Sequence, residues 1–455
     1  MRYLPHTPED IERMLGVVGK PSIDALFDHI PPSLRTNRPI DIAPLSEPEL
    51  LTHLQELAAL SQPATASFLG AGLIPHAIPT AVDMLLQRAE WYTSYTPYQP
   101  EISQGTLQAV FEFQTIVGEL FGLPVANASM YDGASGTAEA VLMSQRLTER
   151  ERVLTAATLH PQSHETIATY LGGDPAWDPA SLVRVGATVD GRVDLDACRA
   201  ALAAAPTACL VVQSPNFFGC VEDVAALAAI CQQHGTLLVV ANTEPLAFGL
   251  YEAPGVLGAD IAVSDGLGLA SGPSSGGPGV GLFASKSDFV RQLPGRLVGE
   301  TVDRSGKRGY VLTLATREQH IRREKATSNI CTNQGLIALA FTIHLCLLGK
   351  RGFSELAQQN YARASYALDQ LVAKAGCRRA FAAPFFNEIA VEVRGGDAGR
   401  AVRALASRGL HAGVAPRAAG LLPDASPGLL LVAVTEQHSR ATIDHLVNSL
   451  DEVTR

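Results

Sequence analysis

Residues 209–241 read CLVVQSPNFFGCVEDVAALAAICQQHGTLLVVA. An apolar, β-branched run, Cys209–Gln213, meets a Pro/Asn/Gly turn, then an Ala-rich helical stretch over 222–234, then a second apolar run at 237–241. Strand, helix and strand in that order make a βαβ unit, whose strands lie parallel and whose sheet is covered on both faces. The same grammar extends outward. Short apolar runs recur at 152–156, Leu182–Val185, 260–263 and 279–283, with another Ala-rich helical stretch at 194–204. The spacing predicts a large α/β domain over 64–330 with a mostly parallel sheet.

On the N-terminal side, 1–63 reads as a helical arm. Thr7-Pro8-Glu9-Asp10 has a capping hydroxyl, a first-turn proline and acids suited to the helix dipole, and Ser46-Glu47-Pro48-Glu49 reads as a capping box before Leu50, Leu51, Leu54 and Leu57. On the C-terminal side, a long helix starts after Asn333, runs to about Gly349 and resumes from Ser354. Helix and strand then alternate through 386–393, 398–407, 429–434 and 438–450, which predicts a smaller α+β domain over 331–455.

Composition narrows the function classes. The 455 residues carry 35 Lys+Arg against 45 Asp+Glu, a net charge of −10, and 47% are apolar. The acidic balance excludes the basic footprint of a nucleic-acid binder, so no nucleic-acid partner is expected. No uninterrupted apolar run of about 18 residues occurs, so no membrane span is expected. The opening Met1-Arg2-Tyr3-Leu4-Pro5-His6 has neither a basic-then-apolar signal nor transit character, which points to the cytoplasm. Seven cysteines, with no C-x-x-C pair, do not read as a disulfide scaffold. Cys198, Cys209, Cys220 and Cys231 are evenly spaced, but they fall on helix, strand, loop and helix, so no metal site is expected.

Four segments can carry chemistry. The Pro-broken run 92–105, YTSYTPYQPEISQG, packs three tyrosines with hydroxyls and amides; it suits a planar ligand or a packed surface loop. Tyr131-Asp132-Gly133-Ala134-Ser135 enters an Ala-rich helix, and free N–H groups at such a start hold a phosphate or simply a cap. The glycine-rich run 264–281 contains G-x-G-x-x-x-G, yet it comes late and leads into another strand, which argues against a dinucleotide fingerprint. The run 316–334 joins a basic helix to a hydroxyl and amide cluster, either an anion site or a solvated helix with a cap.

Together the segments resemble the alpha chain of the two-subunit P-protein of the glycine cleavage system. The runs YTPYQPE (95–101), PNFFG (215–219), LPGRLVGET (293–301) and RREKATSN (322–329) carry the resemblance, which spans nearly the whole chain. It implies a pyridoxal-phosphate (PLP)-dependent transferase-like fold, fold type I or aminotransferase-like. It implies glycine dehydrogenase (aminomethyl-transferring) activity: glycine is decarboxylated on PLP, and the aminomethyl group passes to the lipoyl group of the H-protein, with T- and L-proteins completing the cycle. An α2β2 assembly with glycine dehydrogenase subunit 2 is also implied.

PLP enzymes hold the cofactor on a lysine. This chain has six, Lys20, Lys286, Lys307, Lys325, Lys350 and Lys374. None stands at the family's lysine position, where Asp265, Gly266 and Leu267 occur; the region of the usual ring-nitrogen aspartate reads Asn242-Thr243-Glu244. The resemblance therefore implies PLP held covalently by subunit 2 and not by this chain. No catalytic residue is assigned within this chain alone. Ser94, Tyr95, Tyr98, Gln99 and Glu101 would be lent to the partner's site, with Arg317, Gln319 and Arg323 receiving the glycine carboxylate or the lipoyl arm. Thr327, Ser328 and Asn329 would cap the phosphate of the partner-bound PLP. Two alternatives stand beside this: a self-sufficient PLP-dependent amino-acid lyase using Lys286, and a non-catalytic scaffold.

Overall fold

A computed structural model describes residues 5–36, 38, 41–61, 64–273, 277–314, 319–328, 330 and 332–455. The chain divides into two compact units, Met1–Gln62 and Pro63–Arg455. In the first, helices α1 (Pro8–Val18) and α2 (Glu47–Ala59) start where the capping signals place them: Asp10 N–H donates to the Thr7 hydroxyl (3.2 Å) and Ser46 N–H to Glu49 (2.8 Å). Neither helix buries a residue within that unit.

The second unit is built on a seven-stranded sheet. Its strands are β1 (Val125–Ala126), β2 (Val153–Ala156), β3 (Leu182–Val185), β4 (Cys209–Gln213), β5 (Leu237–Asn242), β6 (Ile261–Asp265) and β7 (Gly281–Ser285). The order is β1-β7-β6-β5-β4-β2-β3, parallel except that β7 runs against both neighbours. The apolar runs located six of these strands to within two residues at either end; the short β1 was not among them, and β7 starts two residues later than its run, where Gly281 pairs with Asp265.

Alternate residues of each strand feed opposite faces. Val211, Val239 and Val263 meet helices α4 (Gly133–Thr148) and α5 (Pro161–Leu171) on one face; α3 (Gln104–Phe121) packs nearer β1 and β7. Leu210, Val212, Leu238 and Val240 meet α6 (Leu195–Ala204) and α7 (Val224–Gln233) on the other. Each such side chain, fully buried, contributes about 1.5–3 kcal/mol.

Helix α8 (Gly335–Ala373) spans two cores. Ala338, Ala340, Phe341 and Ala357 pack with α3 and β7; Ala364, Ala367, Leu368 and Leu371 enter a separate C-terminal core. The expected interruption is real, since Gly349 adopts φ 61° and ψ 176°. By length and mean hydropathy α8 meets the criterion for a membrane span. It nonetheless turns polar groups inward, His344 donating to the Leu269 carbonyl (2.7 Å) and Asn360 bonding to Glu436 (2.9 Å), as a core helix does. The C-terminal core lies under an antiparallel sheet of Arg378–Arg379, β10 (Glu388–Glu392) and β11 (Leu429–Ala433), covered by α9 (Ala398–Ala406) and α10 (Arg440–Thr454); two further ladders are β8 (Leu297–Val302) with β9 (Arg308–Thr313), a hairpin beside α3, and a short parallel pair of Ala66–Ser67 with Leu410–His411. Phe68, from the start of the unit, also belongs to this core.

Candidate functional site

Open parallel sheets bind ligands beyond the carboxyl ends of their strands. Here those ends present His160 after β2, Glu244 after β5 and Asp265 at the end of β6. Asp265 is the first of the three residues, Asp265, Gly266 and Leu267, at the place where the family's lysine is expected. Its Oδ2 accepts from Gly133 N–H at the start of α4 (3.1 Å) and its Oδ1 from Leu267 N–H (2.8 Å). The neighbouring Asp132 caps the same helix by accepting from Ser135 N–H (2.7 Å). The helix start that sequence reading left open between phosphate site and cap is thus a cap, with a second carboxylate on it. Burial, with Asp132 adding to it, raises the Asp265 pKa.

The space beside β5 is also filled. His76 lies between Glu244 (Nε2 to Oε2, 3.0 Å) and Glu436 (Nδ1 to Oε2, 2.9 Å), with Asn387 Nδ2 3.2 Å from the same Glu244 oxygen. Burial alone would lower the His76 pKa; Glu244 and Glu436 outweigh it and hold it up at about 10. Glu436, despite its burial, is held at about 2 by His76 and by Ala77 N–H. Upstream, Ala71 N–H donates to Glu388 (2.6 Å) and the Ala71 carbonyl accepts from His160 Nε2 (2.9 Å). Gly70 and Gly72 make this threading possible: a Cβ on Gly70 would lie 2.2 Å from Glu388 Oε1, and Gly72 has φ +92° with His160 behind it. Full burial pushes Glu388 up to about 7.

PLP does not fit this crevice. The helix start carries two carboxylates, the Gly70–His76 segment packs across the strand ends against His160, Thr243 and Glu244, and Lys286 is at the wrong end. Because β7 runs antiparallel, Lys286 lies beside Asp260 at the start of β6, roughly 16 Å along the strand from Asp265 at about 3.3 Å per residue.

A second cluster lies beside α3 and the start of α8. The aromatic loop and the segment after 326 meet there, through Tyr95 OH and Thr332 Oγ1 (3.4 Å). Arg296 donates to Tyr98 OH (2.8 Å) and stacks on its ring, and Asn333 donates to Ser129 (2.8 Å). Tyr95, Arg296, Thr332 and Asn333 edge a cavity of about 260 Å³, walled by Trp91, Phe113 and Leu336. Tyr95 is 74% exposed and Tyr98 53%, so both faces remain open to another molecule. Ser94 donates to the Glu90 carbonyl (2.6 Å), and Gln99 and Glu101 are exposed on the same loop.

The cap residues are placed differently from one another. Ser328 donates to Glu139 (2.9 Å) and accepts from Ile330 N–H (3.2 Å), so its hydroxyl is engaged within the chain. Thr327 is half-buried and Arg323 exposed. Arg317 and Asn329 lie outside the described residues, as does the side chain of Gln319. Sequence reading missed Glu139, Arg296, Thr332, Asn333 and His76 as site residues. Arg296 was legible, being an arginine in the Pro294-Gly295-Arg296 turn of a quoted motif. Glu139 is buried, its pKa raised by that burial, and its Oε2 meets no hydrogen-bond partner among the described residues.

The sequence profile of the glycine cleavage system P-protein matches residues 1–450. The probable glycine dehydrogenase (decarboxylating) subunit 1 of Sorangium cellulosum (strain So ce56) is 53% identical over 454 residues, 99% of each chain. A crystal structure of glycine decarboxylase (P-protein) of the glycine cleavage system, in inhibitor-bound form, superposes with TM-score 0.85 at 41% identity, covering 100% of both chains. A Burkholderia pseudomallei K96243 sphingosine-1-phosphate lyase, 17% identical with TM-score 0.63 and covering 92% of this chain and 93% of its own, shares the fold. That fold is the fold type I, PLP-dependent transferase architecture. The tyrosine loop, the PGR turn and the missing lysine thus sit in a chain matched end to end by one profile, and the chain belongs to the glycine cleavage system P-protein family, in its subunit 1 branch.

Proposed function

We propose that this chain is the half of a heteromeric glycine decarboxylase that holds no cofactor and completes the site of the lysine-bearing subunit 2. One observation carries the reading: the chain's own crevice is filled by its own side chains and offers no amine, while the tyrosine loop beside Arg296 and Asn333 faces outward. PLP held by subunit 2 supplies an electron sink for decarboxylation of glycine. This chain's residues bind and orient. Tyr95 and Ser94 present hydroxyls, Tyr98 is fixed by Arg296, and Gln99 and Glu101 frame the mouth. Thr327 and Asn329 donate to the phosphate, and Ser328 joins them by exchanging its bond to Glu139. Arg317, Gln319 and Arg323 receive the glycine carboxylate or the lipoyl arm.

In this reading glycine loses CO2 and its aminomethyl group passes to the lipoyl H-protein, with T- and L-proteins acting next. The assembly is α2β2 and the chain alone is inactive. We place it in the cytoplasm, since the six described cysteines are unpaired, which suits a reducing compartment.

The test is to purify the chain alone and with subunit 2, then record visible absorbance and glycine-dependent CO2 exchange. Exchange should appear only in the mixture, and activity of the isolated chain would overturn the proposal. A scaffold reading draws on one observation, the internal engagement of Ser328. Unchanged turnover of Tyr95→Phe in the complex would favour it.

A further inference from the structure

The crevice at the ends of β2, β5 and β6 has kept its walls and lost its vacancy. At its phosphate end, an α-helix of 16 residues opens toward it, and anions belong at such a start. Two of its donors are already taken, Gly133 N–H by Asp265 and Ser135 N–H by Asp132. One carboxylate, Asp265, bridges Gly133 N–H and Leu267 N–H (3.1 and 2.8 Å), as two oxygens of a bound phosphate would. The wall around it is glycine backbone: a Cβ on Gly133 would lie 2.8 Å from Asp265 N, and one on Gly279 would lie 3.6 Å from Asp265 Oδ2. No larger anion enters while Asp265 stays.

At the ring end the same has happened with a different device. The segment from Gly70 to His76 crosses the strand ends, with Gly72 against His160 and Thr243, Ile74 against Gly268, and His76 clasped by Glu244 and Glu436. Across the crevice, Asp132, Asp265, Glu244, Glu388 and Glu436 outnumber the imidazolium of His76, the neighbouring His160 being pushed toward its neutral form by burial, so a dianion gains nothing by entering.

We propose that this crevice is a self-occupied cofactor site, in which the Asp265 carboxylate takes the phosphate's seat and the Gly70–His76 segment takes the ring's, so that the chain itself rejects phosphorylated cofactors. The inference concerns the chain's own crevice and stands or falls independently of what the tyrosine loop does for a partner.

The test uses the full-length chain in its PLP-loaded complex with subunit 2, where the partner's phosphate seat is filled. Inorganic [32P]phosphate is titrated by equilibrium dialysis into the wild type and into Asp265→Ala. The wild type should take up no saturable phosphate, whereas Asp265→Ala, with two N–H donors freed, should bind about one phosphate per chain at least tenfold more tightly than the wild type. Asp265→Asn keeps an acceptor and drops the charge, and should fall between them. A second measurement needs no variant: the wild-type chain alone is titrated with PLP and followed by absorbance and dialysis. Saturable binding of either probe to the wild type, or the absence of any gain in Asp265→Ala, overturns the proposal.

Discussion

Replacing His76 by Gln removes the one positive charge between Glu244 and Glu436 while keeping a hydrogen-bond donor of similar reach. The magnitude follows from the proton equilibrium. Burial works against the imidazolium, yet the two carboxylates hold its pKa at about 10 in the folded chain, against 6.5 for the model imidazole. A group whose folded pKa is raised stabilises fully below its unfolded value and loses that stabilisation as pH climbs to the folded one. At pH 7 the imidazolium therefore contributes about 4 kcal/mol, shrinking to about 1 kcal/mol at pH 9. The first figure agrees with the roughly 3–5 kcal/mol cost of stripping one partner from a buried ion pair. For a unit of roughly 390 residues, at about 2.1 cal/mol/K of unfolding entropy per residue, the loss lowers the thermal midpoint by about 5 °C. The assay is thermal unfolding of wild type and His76→Gln at pH 7 and pH 9, by calorimetry. The gap between the two proteins should narrow as pH rises. Adding Glu436→Gln to His76→Gln should recover part of the loss, with a coupling of about 1–3 kcal/mol. The reasoning is refuted if the two proteins unfold within about 0.5 kcal/mol of each other at pH 7, or if their gap is the same at both pH values.

Three further outcomes are expected. Tyr95→Phe, whose hydroxyl meets Thr332 at 3.4 Å among the described residues, should leave the fold stable within about 0.5 kcal/mol but lower glycine-dependent CO2 exchange of the complex by about one to three powers of ten. Ser328→Ala strands the buried Glu139 without its donor, so the melting midpoint should report a loss of about 1–3 kcal/mol, and dialysis of the complex should show faster escape of PLP if the hydroxyl also reaches the phosphate. Glu388→Gln probes the opposite sign: burial raises this carboxyl to about 7, so stability falls from about pH 4.5, where the unfolded carboxyl ionises, to about pH 7, where the folded one does, and the neutral variant should match wild type near pH 4 and exceed it by up to about 3 kcal/mol at pH 8.5 in denaturant melts.

Local grammar carried the sheet because strands such as Cys209–Gln213 are buried on both faces and show it as continuous apolar runs. The caps at Thr7 and Ser46 were legible for a similar reason, since both partners lie within one turn. The strand position that has lost its lysine was also legible, as an Asp265 where an amine is expected. What Asp265 does instead was not, since its partner Gly133 is 132 residues away and nothing local marks the pairing. His76 stands in a Pro-broken connector that has no periodicity to read, and its partners lie 168 and 360 residues downstream. Glu139 reads as one polar residue in an Ala-rich helix until Ser328, 189 residues on, is brought against it. Tyr98 and the PGR turn were both quotable as motifs, yet only folding joins Arg296 to the tyrosine.

The break in α8 has a mechanical consequence. Both Phe341, before Gly349, and Ala357, after it, pack in the same core, so the kink bends the helix around the large domain without acting as a joint between domains. From Gly352 onward the helix continues without another non-helical residue into the C-terminal core at Ala364 and Leu371. Rocking of the C-terminal core against the large sheet would therefore have to bend a continuous helix and part His76 from Glu436 at the same time. Within Pro63–Arg455 the two cores are thereby yoked by one helix, whose start also backs the cavity beside the tyrosine loop.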